Sequence, residues 1–334
     1  MLNWRAAYAK KEPALPYDRP PLSKALLAGN VSPERIALRA ESYFEKNKIT
    51  LLLGRRVCSL HAEGLSLAFE DGNSLQFDRC VLATGASARR LPLPGNDLEG
   101  IFHLRSLADS LALRAALSSS AKLVVVGGGY LGLEAASTAR ALGATVTVLE
   151  SANRLMPGRT SDPVADAFAN LHRETGITLR LGSGARAFLG TQRIEAVQTT
   201  EGDELPANLV LVAIGAVPND TLAREAGLEC DDGILVDEGH RTSVEGVFAI
   251  GDCARPTAAD GHRPRRVESV HSALSQARNL TASLPEAPRP TARAPYFWTE
   301  QCGAKLQVTG FLKPDLPTED VLVGQLPDDF AVYR

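Results

Sequence analysis

Apolar positions along this chain change period several times, and each change predicts an element. Ile49 to Leu60 and Gly64 to Phe77 alternate with a period of two and read as strands, with Asp71-Gly72 as a hairpin turn. Cys80-Val-Leu-Ala-Thr-Gly85 is an unbroken apolar run closing on small residues, the mark of a buried strand and turn. Leu91-Pro-Leu-Pro-Gly95 reads as a linker, and residues 105 to 118 take helical spacing. Leu123 to Val126 is β-branched and apolar, Leu133 to Leu142 favours helix, Gly143 stops it, and Thr145 to Glu150 is a second strand. Pro163 to Thr175 is a helix stopped by Gly176, followed by strands at Ile177 to Leu181 and Arg193 to Thr200. Leu209-Val-Leu-Val-Ala-Ile-Gly215 echoes residues 80 to 85, a short hint of two similar nucleotide-binding halves. Strands at Gly233 to Asp237 and Gly246 to Asp252, a helix at Val267 to Leu284, a Pro-rich linker at Pro285 to Pro295 and β-like alternation from Tyr296 complete the chain. At the other end, residues 13 to 33 are Pro-rich and read as a rigid loop leading into a short helix, while residues 1 to 11 lack glycine.

Composition narrows this little. The 334 residues suit two or three domains. A net charge of −3 gives no general attraction to nucleic acid or to an anionic membrane. No apolar run is long enough to span a bilayer, and the first residues lack the apolar core of a signal peptide. The five cysteines are scattered without a CxxC pair, which argues against a redox dithiol and a zinc cluster and for reduced thiols in a cytoplasm.

The chemistry is concentrated in Leu123-Val-Val-Val-Gly-Gly-Gly-Tyr-Leu-Gly-Leu-Glu134. A strand feeds a Gly127-x-Gly129-x-x-Gly132 turn, a helix follows, and the next strand ends in Glu150. Glycines at that spacing allow a tight turn, close backbone approach to a pyrophosphate, and close helix–strand packing. The helix N-terminus offers unpaired N–H groups and the positive end of its dipole. An acid about 20 residues on can accept from both ribose hydroxyls, so NADH is expected over NADPH. Arg154 lies close by and weakens that expectation, because a nearby Arg can take a 2′-phosphate. A second signal is the strand ending Ala249-Ile-Gly251-Asp252, which sets a carboxylate at a sheet edge where it can accept from sugar-like hydroxyls.

With these in place the chain resembles the ferredoxin reductases of oxygenase systems, the putidaredoxin- and rubredoxin-reductase-like branch of the FAD-dependent pyridine nucleotide-disulfide oxidoreductases. The resemblance runs from about Glu12 to the end. It is carried by Leu15-Pro-Tyr-Asp-Arg-Pro-Pro-Leu-Ser-Lys24, Ala83-Thr-Gly85, the Gly127 to Glu134 segment with Tyr130 and Leu131, Ala213-Ile-Gly-Ala-Val-Pro-Asn219, Gly251-Asp252, Arg266-Val-Glu-Ser269 and Tyr296-Phe-Trp-Thr-Glu-Gln301. It implies an α/β fold of two interleaved Rossmann-like domains of the disulfide-reductase type plus a truncated α+β C-terminal domain. The FAD-binding domain would comprise residues 1–104 and 220–297, the NAD-binding domain 105–219, and the C-terminal interface domain 298–334.

The resemblance also implies roles. Lys24 lies near the flavin N5, and Glu134 pairs with it. Arg19 and Pro20 line the FAD, Ala83, Thr84, Gly85 and Gly215 belong to nucleotide turns, and Gly251 and Asp252 hold the ribityl chain. Glu268 and Ser269 lie near the nicotinamide–flavin region, and Trp298 packs beside the isoalloxazine. Read without the resemblance, Lys24 is a solvated surface lysine, Glu134 a first-turn acid favoured by the helix dipole, and Trp298 plain core. The cofactors implied are FAD and NADH, and the partner a small iron–sulfur ferredoxin or rubredoxin. Arg263, Arg265, Arg266, Arg289 and Arg293 are the candidate basic docking residues for it.

The chain departs from the family's pattern at both ends. The family opens with a βαβ unit bearing its own glycine fingerprint for the FAD pyrophosphate, and the C-terminal domain here is under half the family's extent. FAD is therefore expected to bind weakly and NAD to bind better. Two rival readings stand beside the reductase. One is a non-catalytic or NAD-binding remnant. The other is an NADH-dependent disulfide or peroxide reductase, for which Cys253 is the single candidate thiol.

Overall fold

The computed structural model describes residues 5–257, 264–284, 294–310, 319–325 and 329–333. The chain forms two compact units, one of Met1–Asp18, Ile36–Ser87 and Val217–Phe297, the other of Arg19–Arg35, Ala88–Ala216 and Trp298–Arg334.

The second unit is built on a five-stranded parallel sheet in the order Thr178–Leu181, Thr145–Glu150, Lys122–Val126, Leu209–Val212, Ile101–Phe102. Its middle strands are β-branched or leucine on both faces, because a parallel sheet is covered on both sides. Leu123 to Val126 and Leu209 to Val212 are all buried. Chain order runs outward in one direction from Lys122–Val126 and then restarts on its other side at Leu209–Val212. Such a reversal opens a crevice at the carboxyl ends of the two strands, the usual ligand site of an open α/β sheet. The helix Tyr130–Ala141 follows the first of them and buries Leu133, Ala135, Ala136 and Ala139. A three-stranded antiparallel sheet, Ala185–Gly190, Ile194–Thr199 and Glu204–Pro206, adds a core of Phe188, Ile194 and Val197 against Val124, Val126 and Val210. Its first strand was not anticipated, because register shifts at both of its ends obscure the alternation.

The first unit is assembled from shorter strands. Cys80–Leu82 pairs in parallel with Val247–Ala249, Ile234–Val236 with Ala254–Pro256, and Val57–His61, Ser66–Phe69 and Ser74–Gln76 form an antiparallel meander turning at Asp71-Gly72. Leu60, Leu82, Ile234, Val236, Val247 and Ala249 close its core. The helix Val270–Ser283 starts at Ser269, whose hydroxyl accepts from the Ser272 N–H.

Ahead of the Pro-rich segment, Ala6–Lys10 is a strand paired in parallel with Ile49–Leu53. It has no β-branched residue and is mostly exposed, so neither propensity nor alternation marks it; the pairing with Ile49–Leu53 sets its conformation.

Candidate functional site

In the second unit the glycine-rich turn sits in the crevice at the carboxyl end of Lys122–Val126. Each glycine has its own steric reason. Gly127 has φ +113°, and a Cβ there would lie 2.5 Å from the Ala213 carbonyl oxygen. A Cβ on Gly132 would lie 2.3 Å from the Gly127 carbonyl oxygen, so this glycine lets the helix close on the strand. At Gly129, the N-cap of the helix, a Cβ would meet nothing within 4 Å, which leaves the backbone open to a ligand. Gly215, φ +100° and equally open, ends the neighbouring strand's turn. The turn and its helix N-terminus therefore fit a pyrophosphate.

Glu150 is buried at the end of the second strand and accepts from the Gly128 N–H at 2.6 Å and the Ala152 N–H at 2.8 Å. Two backbone donors aim its carboxylate across the turn while spare lone pairs remain for ribose hydroxyls. Arg154 is engaged elsewhere: it pairs with Asp162 and donates to the Thr160 carbonyl oxygen. Tyr130 donates to the Arg159 carbonyl oxygen at 3.2 Å, and burial pushes its hydroxyl up to about 12, so it stays protonated. Leu131 is exposed on the helix.

Lys24 and Glu134 meet in the same unit. The Lys24 ammonium lies 2.9 Å from Glu134 Oε2, with side chains 19% and 7% exposed, so the surface-lysine reading is excluded. Glu134 is also not a first-turn acid: it is the fifth residue of a helix whose first turn holds none. What holds it is side-chain chemistry from separate segments. Ser23 donates to Oε2 at 2.5 Å, and Thr299, fully buried, donates to Oε1 at 2.7 Å. Ser23 and Lys24 are carried by the one-turn helix Pro20–Ser23, which begins with Pro20 and Pro21, and its N-cap Arg19 donates to the Arg105 carbonyl oxygen. Thr299 and Gln301 face inward from the strand Tyr296–Gln301, and Trp298, half-buried, alternates with them on its other face.

The network continues beyond Thr299. Gln301 Nε2 donates to Thr299 Oγ1 at 3.0 Å, Gln301 Oε1 lies 2.9 Å from His172 Nε2, and His172 Nδ1 lies 3.4 Å from Cys302 Sγ. Ser23, Thr299 and Gln301 enter the sequence reading only as parts of longer motifs, Cys302 only as one of five scattered cysteines, and His172 not at all. Their common signal is polarity at positions facing a core, which becomes visible only once the packing is known.

The first unit holds the other predicted residues. Asn219 pins the Ala83-Thr84-Gly85 turn: its Nδ2 donates to the Thr84 carbonyl oxygen at 2.8 Å, its N–H to that of Gly85 at 2.9 Å, and Thr84 Oγ1 donates back at 2.6 Å. Gly251, φ +78°, is open to a ligand, and its N–H donates to Gln276 Oε1 at 2.7 Å. Arg266 fastens the Asp252 turn, donating to the Asp252 carbonyl oxygen and to Glu268 Oε1, each at 2.7 Å. Arg266 is 9% exposed, so it is withdrawn from the docking surface; the internal carboxylate and carbonyls hold it. Arg265 is exposed, whereas Arg263, Arg289 and Arg293 lie outside the described residues. Cys253 is fully buried, and burial pushes its thiol up, which is unsuited to a redox nucleophile. No group of metal-ligating side chains occurs among the described residues.

Residues 3–277 match the family model described as pyridine nucleotide-disulphide oxidoreductase. The chain is 40% identical over 300 residues to rhodocoxin reductase of Rhodococcus erythropolis, covering 90% of this chain and 70% of that protein. It is 39% identical over 328 residues to the ferredoxin reductase component of chlorobenzene dioxygenase from Cupriavidus sp. (strain PS12), covering 98% and 79%. Among solved structures, the covalent putidaredoxin reductase–putidaredoxin complex matches with a TM-score of 0.93 and 35% identity, over 98% of this chain and 80% of that one. The chain belongs to the pyridine nucleotide-disulphide oxidoreductases.

Proposed function

We propose that this member of the family is the NADH-dependent reductase of an oxygenase system, delivering electrons to a small iron–sulfur protein of the ferredoxin or rubredoxin kind. The observation that carries the reading is likeness along nearly the whole chain to reductases named for such systems. FAD held by the chain would supply a centre able to take two electrons together as hydride and give them up one at a time, which would reconcile a two-electron donor with a one-electron acceptor.

The chain's own residues hold and orient. We assign 105–219 to NADH, 1–104 with 220–297 to FAD, and 298–334 to the interface domain. The amides of the Gly129–Gly132 segment receive the coenzyme pyrophosphate, and Glu150 accepts from the adenosine ribose. A buried carboxylate there repels a 2′-phosphate, and Arg154, tied to Asp162, does not counter it, so NADH is preferred. Thr84, Gly85, Gly251 and Asp252 form the FAD side, braced by Asn219 and Arg266, with Glu268 and Ser269 beside the nicotinamide. Arg19, Pro20 and Trp298 line the flavin. Lys24 supplies a fixed cation to it, and Glu134 holds that ammonium in place as its counter-ion. No described helix is long and apolar enough to cross a membrane, and a cytoplasmic setting belongs to the same proposal; the five free thiols suit it.

The test is the visible spectrum of the purified chain, followed by NADH-dependent reduction of a [2Fe–2S] ferredoxin after supplementation with FAD. Bound flavin, bleached by NADH and reoxidised by the ferredoxin, is expected. A chain that binds NADH and never takes up FAD would support the remnant reading instead.

A further inference from the structure

We propose that Cys302 is a reactive thiol that gives up its proton to His172 and exchanges with small disulfides bearing a carboxylate.

The argument begins with proton accounting along the buried network. Glu134, paired with Lys24, accepts only, so the Thr299 hydroxyl spends its proton on Oε1. Thr299 Oγ1 must then accept from the Gln301 amide nitrogen, which turns the Gln301 amide oxygen toward His172. An amide oxygen needs a donor, so His172 carries its proton on Nε2. That leaves the Nδ1 lone pair facing Cys302 Sγ at 3.4 Å. His172 is fully buried, and Thr299 and Gln301 are 0% and 2% exposed, so each link holds a fixed orientation away from water. The arrangement has the logic of a thiol, a base and an amide that orients the base.

Cys302 itself is half-buried in the turn between Tyr296–Gln301 and Ala304–Thr309, at φ +49°, a strained conformation for a residue with a side chain. Its N–H donates to Ser137 Oγ at 2.7 Å, and its Sγ lies 3.4 Å from Thr175 Oγ1. Burial pushes its thiol up, but the His172 imidazole and the Thr175 hydroxyl beside the sulfur outweigh that and bring it below its ordinary value. The sulfur opens on a groove of about 480 Å³ lined by Ser137, Arg140, Ala141, Thr175, Cys302 and Gly303. Arg140 is braced by donation to the Thr175 and Ala144 carbonyl oxygens at 3.0 and 3.3 Å, and it gives the wall a fixed cation. A cation beside a nucleophilic sulfur selects a disulfide that carries a carboxylate. Among the described residues, none of the other four cysteines combines exposure with an imidazole at hydrogen-bonding distance.

The exchange balances without another reagent. Cys302 Sγ forms a bond to one sulfur of the disulfide as that disulfide's own S–S bond breaks. The Cys302 proton passes to His172 Nδ1 and then to the departing thiolate. Cys302 is oxidised, and the released half leaves as a thiol.

The full chain is treated with iodoacetamide across pH 5.5–9, and each cysteine is followed by peptide mass mapping. At pH 7 Cys302 is expected to react about tenfold or more faster than the exposed Cys58, with a midpoint below the ordinary thiol range. Glutathione disulfide is expected to leave a single mixed disulfide on Cys302. His172→Gln should remove most of the excess rate and return the midpoint to the ordinary range. Thr299→Val, which leaves thiol and imidazole in place, should slow labelling a few-fold. Should His172→Gln not fold, the pH profile of the unaltered chain decides. Cys302 labelling no faster than Cys58, an ordinary midpoint, or an adduct spread over several cysteines would each overturn the proposal.

Discussion

The glycine-rich turn and the buried network around Glu134 present their polar groups in opposite ways. In the turn the groups are backbone N–H donors, contributed by one continuous segment in which Gly127 and Gly132 leave no room for a side chain while Gly129 stands open. Around Glu134 the groups are side chains from four separate segments: Ser23 and Lys24, Glu134, His172, and Thr299 to Cys302. The two regions accordingly fail in different ways. A substitution at Gly127 or Gly132 acts through sterics whatever its chemistry, whereas one around Glu134 leaves a buried charge or donor without its partner.

The largest effect is expected where the turn is tightest. Gly127→Ala sets a Cβ 2.5 Å from a backbone oxygen at φ +113°. It should cost on the order of 3 kcal/mol, roughly a hundredfold in NADH affinity, with a lowered Tm. Gly129→Ala, with open space around it, sharpens the contrast: the same titration should show weakened NADH binding at an unchanged Tm. A Tm that falls equally in both variants would erase the distinction between packing glycine and ligand-facing glycine.

Glu134→Gln tests the other kind of failure. Lys24 loses its counter-ion, and the single amide oxygen can accept from only one of Ser23 and Thr299, leaving the amide NH2 facing the other hydroxyl. Because Lys24 is about a fifth exposed, water softens the loss, and the cost should stay under the roughly 3–5 kcal/mol of a wholly buried pair. In stopped flow the bound flavin should be reduced by NADH about tenfold or more slowly, with NADH affinity unchanged, since that resides in the turn. Equal rates in Glu134→Gln and Lys24→Met variants and in the parent chain would remove the pair from catalysis.

Glu150→Ala should narrow the preference for NADH over NADPH about tenfold, about 1.4 kcal/mol, as competitive titration of both coenzymes would measure. Arg154 held by Asp162 sets its limit, so the double variant Glu150→Ala with Asp162→Ala should favour NADPH further. The smallest effect belongs to the surface. Arg265→Glu should slow ferredoxin reduction a few-fold at low salt and leave it unchanged near 1 M, where the Debye length is about 3 Å. An Arg265→Glu rate independent of salt would remove this side chain from the docking face.

What the amino-acid sequence determined by itself is the part of the molecule whose physics is local. Leu123 to Glu150 carries strand, turn, helix, stop and acid in one segment, so its geometry follows from residue type and spacing, and Glu150 stands where that spacing puts it. The Ala83-Thr-Gly85 and Gly251-Asp252 turns were legible for the same reason, as small residues ending apolar strands. Pairing of Lys24 with Glu134 was reachable only through family resemblance, because no local rule links positions 110 residues apart. Tertiary structure alone decided the rest. It moved Arg266 from an apparent basic patch into the interior, because the carbonyls of Asp232 and Asp252 and the carboxylate of Glu268 converge on it. It made Ala6–Lys10 a strand by giving it Ile49–Leu53 to pair with. It also set Cys302 beside His172, since hydrogen-bond partners drawn from distant segments are chosen by packing, which leaves no periodicity to read along the chain.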